Sequence, residues 1–434
     1  MMAVELQKQT EFQNLIQENQ FSPKKAPILL LIFASAFVVT TIVLSNQRDW
    51  IFLYRIIALC FAFTYLLSIL FRKIEFIRPD AIYFIFLVWS IIGLIGSYDT
   101  LNLVSVYVKL FTLFQLMFMT YLLFALAIHM GSTTWLEGSY VIGVFISMAW
   151  IFLETGGNFG HERIAGPLSN PNVLAFALLF SLILSLKLLR AYGGIFIKIL
   201  LLLNMAIIFP FLVATGSRKG VIAFFLILAV AAGHHLFFEQ RKERIKSVIF
   251  VFLLVVLTLT ICLPMLQESR VYTRLQNIER FAKGEDLVVR ERSIYQRMEF
   301  YTQGFQLALK YPLFGVGHDQ FRYYDSSLRQ GSDRGFYSHS NIIEVLANTG
   351  FLGFIIYHSA YLLIIIRILS IWKKNNSALV KNTIYFSLMI GMLIITYDFF
   401  AVRYYSKDYW IALALICSSL KLAKLSIKNC NVSL

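Results

Sequence analysis

Charged side chains are few in this chain. Asp, Glu, Lys and Arg make up 15% of its 434 residues, hydrophobic residues 58%, and the mean hydropathy is +0.70. A soluble domain of this length carries about a quarter charged residues, so most of this surface faces something other than water. Cysteine is scarcer still. Cys60, Cys262, Cys417 and Cys430 show no pairing pattern, which argues against a disulfide framework and against a zinc site. No two of the seven histidines stand at metal-ligand spacing and no Asp-rich cluster accompanies them, so no metal and no cofactor is expected. Walker-type phosphate loops, Gly-x-Ser-x-Gly elbows and dinucleotide fingerprints are missing too, which removes the nucleotide-binding and hydrolase classes that depend on them.

What the chain does have is apolar runs of spanning length. Stretches of roughly 18 or more residues recur from Pro27 onward, each long enough to cross a hydrocarbon core of about 30 Å. Lipid offers the backbone no hydrogen-bond partners, so such runs are helical. The expected fold is an all-α polytopic membrane protein with about twelve transmembrane helices. The spans fall near 27–45, 50–70, 81–97, 103–128, 138–154, 172–188, 195–214, 220–238, 247–265, 351–372, 382–399 and 409–426. The chain thus divides into a polar N-terminal arm (1–26), nine spans (27–265), one large loop (266–350), three further spans (351–426) and a short tail (427–434). Ala34-Ser-Ala36 could pass for a signal-peptidase site, but the long polar arm before it and the many spans after it favour a membrane helix.

Lys and Arg in short loops set the orientation. With both termini in the cytoplasm, the inner loops collect basic residues such as Lys24, Lys25, Arg72, Lys73, Lys187, Arg190, Lys373 and Lys374. They outnumber the outer ones, among them Arg48, Arg163, Arg218, Lys219, Arg403 and Lys407, by about three to one. A formal charge of +15 therefore marks an anionic inner membrane surface and calls for no nucleic-acid partner.

The outer basic residues run against that bias. Thr215-Gly-Ser-Arg-Lys-Gly220 forms a hairpin between two spans, too tight to hold Arg218 far from the membrane. Two readings fit: Arg218 faces an anion in a polar cavity, or it snorkels to lipid headgroups. Arg163 lies in a loop that leads through Asn170-Pro171-Asn172, a turn and N-cap signature, into the next span. In the large loop, 293–310 reads as an amphipathic helix. Ile294, Met298, Tyr301, Phe305 and Ala308 form its apolar stripe, Arg297 stands at the border, and Pro312 follows. Farther on, Asn341 and Glu344 have capping-box spacing, with His339 just before the helix start. A helix N-terminus favours neutral imidazole, the form a general base needs; a surface histidine bonded to its own loop is the competing reading. Gly350-Phe-Leu-Gly353 suits a bend and close helix packing.

In order along the chain, Arg163-Ile-Ala-Gly166, Asn170-Pro-Asn172, Thr215-Gly-Ser-Arg218, Arg297, Tyr311-Pro-Leu-Phe-Gly-Val-Gly317 and His339-Ser-Asn341-x-x-Glu344 resemble the O-antigen ligase and polymerase superfamily. The motifs cover about residues 150–360. The resemblance implies a GT-C-like architecture, in which one large extracytoplasmic loop with short helices caps a lipid-facing cavity. It implies metal-independent, inverting transfer of glycan from undecaprenyl pyrophosphate to an acceptor hydroxyl, at the bacterial inner membrane. Arg218, Arg297 and Arg163 would bind the pyrophosphate, His339 would activate the acceptor, and Asn341, Glu344, Ser217 and Asn172 would support them. Many members read His-Asn where this chain reads His339-Ser340-Asn341, so the Asn role is displaced by one residue or shared.

A polymerase, with a second lipid-linked repeat unit as acceptor, is the preferred expectation; a ligase onto lipid A-core is the alternative. Membrane lipids and a chain-length regulator are the other candidate partners. A lipid-linked oligosaccharide transporter is the competing class. It would need polar residues along a path through both leaflets, where this chain offers only Lys109 and Lys198, and it has little use for so large an outer loop.

Overall fold

The computed structural model describes residues 25–157, 163–238, 292–324, 335–374 and 377–432. The arm before residue 25, the expected ninth span (247–265) and 266–291 of the large loop lie outside the described residues. Among the described residues twelve α-helices follow one another: α1 (Ile28–Val43), α2 (Ile51–Leu70), α3 (Ala81–Ile95), α4 (Leu103–Met130), α5 (Thr134–Thr155), α6 (Pro171–Ala191), α7 (Ile195–Ala214), α8 (Arg218–Phe238), α9 (Arg292–Lys310), α10 (Asn341–Lys374), α11 (Ala378–Phe400) and α12 (Lys407–Val432). Among the described residues there is no strand, and nine helices are long and apolar enough to cross a membrane, with α1 a shorter apolar helix. The protein is a multi-pass, all-α membrane protein.

Local chemistry sets the helix starts. Asp80, Asn102 and Asn170 each accept a hydrogen bond from a main-chain N–H in the first turn of α3, α4 and α6, occupying donors that the helix itself leaves open. Asn170 thus caps α6 as its sequence indicates, with Pro171 as the first helical residue. In α6, 72% of the apolar window is buried against 17% in α2, so α6 is central and α2 peripheral, and the exposed apolar residues of α2 face lipid. Around α6 pack α5, α7, α8 and α11, while α10 lies along α3 and α12 along α4. Trp89, Phe86, Tyr357, Tyr404 and Trp410 interlock edge-to-face where α3, α10 and α12 meet.

Ion pairs stitch one end of the bundle. Arg367 donates two hydrogen bonds to Asp80, at 2.7 and 2.8 Å, joining α10 to α3. Lys187 pairs with Glu137, joining α6 to α5. The opposite end carries the loops with the sequence-derived candidates. There Asp319 pairs with Arg322 and Lys109, and also accepts from the Ser105 hydroxyl, which fastens the 311–324 segment onto α4. Lys109 is therefore an ion-paired residue near a helix end and not part of a transbilayer polar path.

One break organises that end. At Gly350 the α10 backbone takes φ 64 and ψ −172, a region essentially restricted to glycine. With the helical ladder interrupted, Val316 N–H donates to the Ala347 carbonyl (3.1 Å), Gly317 N–H to the Asn348 carbonyl (2.8 Å), and Phe351 N–H to Pro312 (2.7 Å). The expected bend is present, and it is what docks the loop. A Cβ at position 350 would meet the Leu313 and Pro312 backbone at 2.6–2.7 Å. Gly350→Ala should cost at least about 1–3 kcal/mol from the backbone conformation alone and lower the thermal midpoint of the detergent-solubilised protein. Gly138→Ala, where a Cβ meets nothing within 4 Å, should leave the midpoint unchanged or slightly raised.

Candidate active site

The hairpin between α7 and α8 and the loop before α6 form one hydrogen-bonded unit. Thr215 Oγ1 donates to the Leu212 carbonyl (2.6 Å) and accepts from Ser217 N–H (3.2 Å). Gly216 turns the chain at φ +60 and leaves room for the Arg163 side chain, 3.2 Å from where a Cβ would stand. Arg163 Nε donates to the Thr215 carbonyl at 2.9 Å. Asn172 Oδ1 accepts from Ser217 Oγ (3.0 Å) and, at 3.5 Å, from Arg163 Nη2. Ser217 Oγ in turn accepts from Gly220 N–H (3.3 Å) and caps α8. Asn172 and Ser217 therefore position; they fix Arg218 as the first residue of α8.

The second wall is α9, which begins within a residue of its expected start and ends where expected. Its packing face differs from expectation. Phe300, Gly304 and Leu307 turn toward α10 and the 316–321 segment, and Tyr301 and Ala308 of the expected stripe are packed too, whereas its Met298 and Phe305 are 59% and 49% exposed. A helix at the membrane interface has two apolar sectors, one against protein and one toward lipid, and the expected stripe mixed the two. Tyr301 OH reaches the Phe399 carbonyl at 3.4 Å, which turns Arg297 toward the hairpin.

Between these walls lies a cavity of about 340 Å³, lined by Arg163, Asn172, Ser217, Arg218 and Arg297 with Lys219, Tyr301 and the apolar Ile222, Met298 and Phe400. All three candidate arginines meet there, although they come from segments far apart in sequence. Among the described lining residues four are cationic and none carries a carboxylate. The chemistry this favours is binding of a polyanion. Lys219 is the addition that sequence reasoning left without a role: its side chain is buried, and its Nζ donates to the Phe400 carbonyl at 2.9 Å.

His339 stands beside the cavity in the left-handed region, at φ 58. Ser338 and Ser340 hold it there. Ser338 N–H donates to Glu344 Oε2 (2.9 Å), and Ser338 Oγ donates to the Ser340 carbonyl (2.7 Å) and accepts from Ser340 N–H (3.3 Å). The imidazole lies 6.1 Å from the Phe300 ring and keeps an exposed edge. Protein packed on its other sides, then the charges of Arg297 and Lys219, pull its pKa down to about 4 from the usual 6.5, so it is neutral near pH 7.

Asn341 and Glu344 sit behind the site and not in it. The helix starts where the capping spacing indicates, but Asn341 does not cap it. Asn341 Nδ2 donates to Tyr357 OH (2.7 Å) and Asp398 Oδ1 (3.0 Å), and Asn341 Oδ1 accepts from Arg403 N–H (3.1 Å). Burial explains the departure, because a buried amide bonds whatever tertiary partners reach it. Glu344 reaches back past the expected position to Ser338 and also accepts from Asn348 (3.3 Å). Asn341 is thus a cross-helix clamp. Arg403 is likewise structural, paired with Asp408 and lying over the Phe176 ring. His318 is fully buried against Trp89, and burial lowers it to about 4; it is a neutral packing element.

Residues 203–358 match the family model described as O-antigen ligase. That match supports the O-antigen ligase and polymerase superfamily. The matched segment contains Ser217, Arg218, Lys219, Arg297, His339, Asn341 and Glu344, while Arg163 and Asn172 precede it. No curated protein matches the chain.

The His339 environment has a measurable consequence. In a histidine NMR titration of the purified protein, His339 should titrate near pH 4. Arg297→Gln removes a cation that disfavours imidazolium and should raise that value. Saturating inorganic pyrophosphate should raise it as well, because an anion favours the protonated ring. A wild-type midpoint at 6.5, insensitive to both changes, would contradict this account.

Proposed function

We propose that the protein is a surface-polysaccharide polymerase. It transfers glycan from undecaprenyl pyrophosphate to an acceptor sugar hydroxyl at the outer face of the bacterial cytoplasmic membrane, with its termini in the cytoplasm. One observation carries the reading: a cavity with four cations, bordered by apolar Ile222, Met298 and Phe400, lies next to a neutral histidine. A lipid-linked pyrophosphate has that same combination of anionic head and apolar tail. The O-antigen ligase match supports the coarser class of ligase- or polymerase-type glycan transfer.

The chemistry follows from charge. The acceptor oxygen forms a bond to the anomeric carbon as His339 takes its proton, and the bond from that carbon to the pyrophosphate breaks, its electron pair leaving with the phosphate. A single displacement inverts the anomeric centre. The diester carries about two negative charges, and the freed terminal phosphate approaches one more, its second pKa being about 6. Arg218 and Arg297 offset that developing charge; Arg suits the task because its fork bonds phosphate bidentately. Arg163, tied to Thr215 and Asn172, steadies one side. The reaction relies on guanidinium groups in place of a metal, so a chelator should leave it unaffected. The membrane-embedded bundle with an outer cap fits a GT-C-like enzyme, and a chain-length regulator is the natural additional partner for a polymerase.

Transfer of labelled glycan by purified protein in detergent tests the reading. His339→Ala should cost on the order of 10²–10⁴ in rate, the range for a lost general base. Arg218→Ala should cost on the order of 10²–10³, the range for a lost charge-stabilising donor. Either variant transferring at the wild-type rate would remove that residue from the mechanism, and movement of donor only across sealed vesicles, without conversion, would favour a transporter. Gene deletion separates the two acceptors: loss of a polymerase leaves single repeats, and loss of a ligase leaves long chains on the carrier lipid.

A further inference from the structure

The four cations differ in how they are held. Lys219 is the most buried, and it sits one residue after Arg218 in the first turn of α8, so the two side chains diverge by about 100° around the axis and approach the cavity from different sides. Its Nζ has three protons. One donates to the Phe400 carbonyl at 2.9 Å, and the Tyr397 ring lies 5.6 Å away. A main-chain carbonyl fixes the position of an ammonium without cancelling its charge. The end of α11, to which Phe400 belongs, also carries the negative pole of the helix dipole, which favours a cation there even with other cations near. Arg297 and Arg163 are close enough for their charges to act on Lys219. A buried cation among like charges is costly unless something anionic shares the space, and an ammonium needed only to bond one carbonyl could have been a neutral amide.

We propose that Lys219 is a direct phosphate ligand of the cavity, anchored on the Phe400 carbonyl and donating its remaining N–H bonds to the pyrophosphate. The inference rests on the reading of the cavity as a pyrophosphate site. It adds a ligand carried on α8 but braced by α11. An ammonium is a compact point charge with rotatable donors, so Lys219 complements the fixed forks of the arginines and follows the phosphate as the bond to the sugar lengthens.

Binding of inorganic pyrophosphate to the full-length, detergent-purified protein, followed by calorimetry, tests this without requiring turnover. Lys219→Gln, which can still donate to Phe400, should weaken binding at least about tenfold, as expected for a lost hydrogen bond to a charged group. Lys219→Arg should recover most of that loss. Thermal midpoints of both variants should stay near wild type, which separates ligation from a bracing role. Arg218→Ala serves as the control for the underlying reading. If Arg218→Ala loses binding and Lys219→Gln does not, the Lys219 assignment is overturned while the cavity stands. If neither variant changes pyrophosphate binding, both are overturned.

Discussion

The site depends on carbonyl groups that a helix cannot satisfy by itself. The last four carbonyls of an α-helix have no partner within it, and in α11 three consecutive ones are taken by three other elements. The Asp398 carbonyl accepts from Ser340 Oγ of the His339 loop (3.4 Å), the Phe399 carbonyl from Tyr301 of α9 (3.4 Å), and the Phe400 carbonyl from Lys219 of α8 (2.9 Å). The loop with the proposed base, the helix with Arg297 and the helix with Arg218 are thus gathered on one turn of backbone. Each bond is ordinary; together they put groups from residues 218 and 297 in one cavity with residue 339 beside it. The same helix end supplies a negative pole, which moderates the repulsion among the cations it collects.

The structural ion pairs and the candidate site treat charge differently. Where Asp80 meets Arg367 and Glu137 meets Lys187, cations are matched with carboxylates, and the pairs hold helices together with little net charge left over. At the site, Arg163 and Lys219 are held by the Thr215 and Phe400 carbonyls and by the Asn172 amide. A neutral acceptor such as the Phe400 carbonyl fixes the Lys219 ammonium without cancelling its charge. No carboxylate is among the described lining residues, and burial first, then the charges of Arg297 and Lys219, lower the pKa of the nearby imidazole.

Much of this was legible in the sequence, for reasons that differ by element. The described spans were legible because crossing lipid demands length and apolarity, and neither depends on tertiary context. Arg163, Arg218 and Arg297 were legible because they stand against the prevailing charge bias, or at the border of an apolar stripe. Asn341 was misread because a capping pattern is local, while a buried amide answers to partners about sixty residues away at Asp398 and Arg403. The face of α9 was misread because a helix between protein and lipid is apolar on two sides. Lys219 stands against the same bias, but no motif assigns it a role beside Arg218, and only the packing of α8 on α11 shows that it turns inward.

The strained loop gives a last constraint. A histidine at φ 58 is uncommon, and such a conformation persists only where its surroundings over-determine it. Here they do. Glu344 takes the Ser338 N–H, Ser338 brackets Ser340, Ser340 is tied to α11, and the next residue, Asn341, clamps α10 to the turn before α12. Relaxing the backbone at 339 would break several of these bonds at once. The strain is thus exchanged for direction, because a left-handed residue projects its side chain away from the path the chain would otherwise follow. The helix that begins at Asn341 could have buried His339 in its first turn. The left-handed residue turns the imidazole out beside the cavity instead, where the proposed base would act.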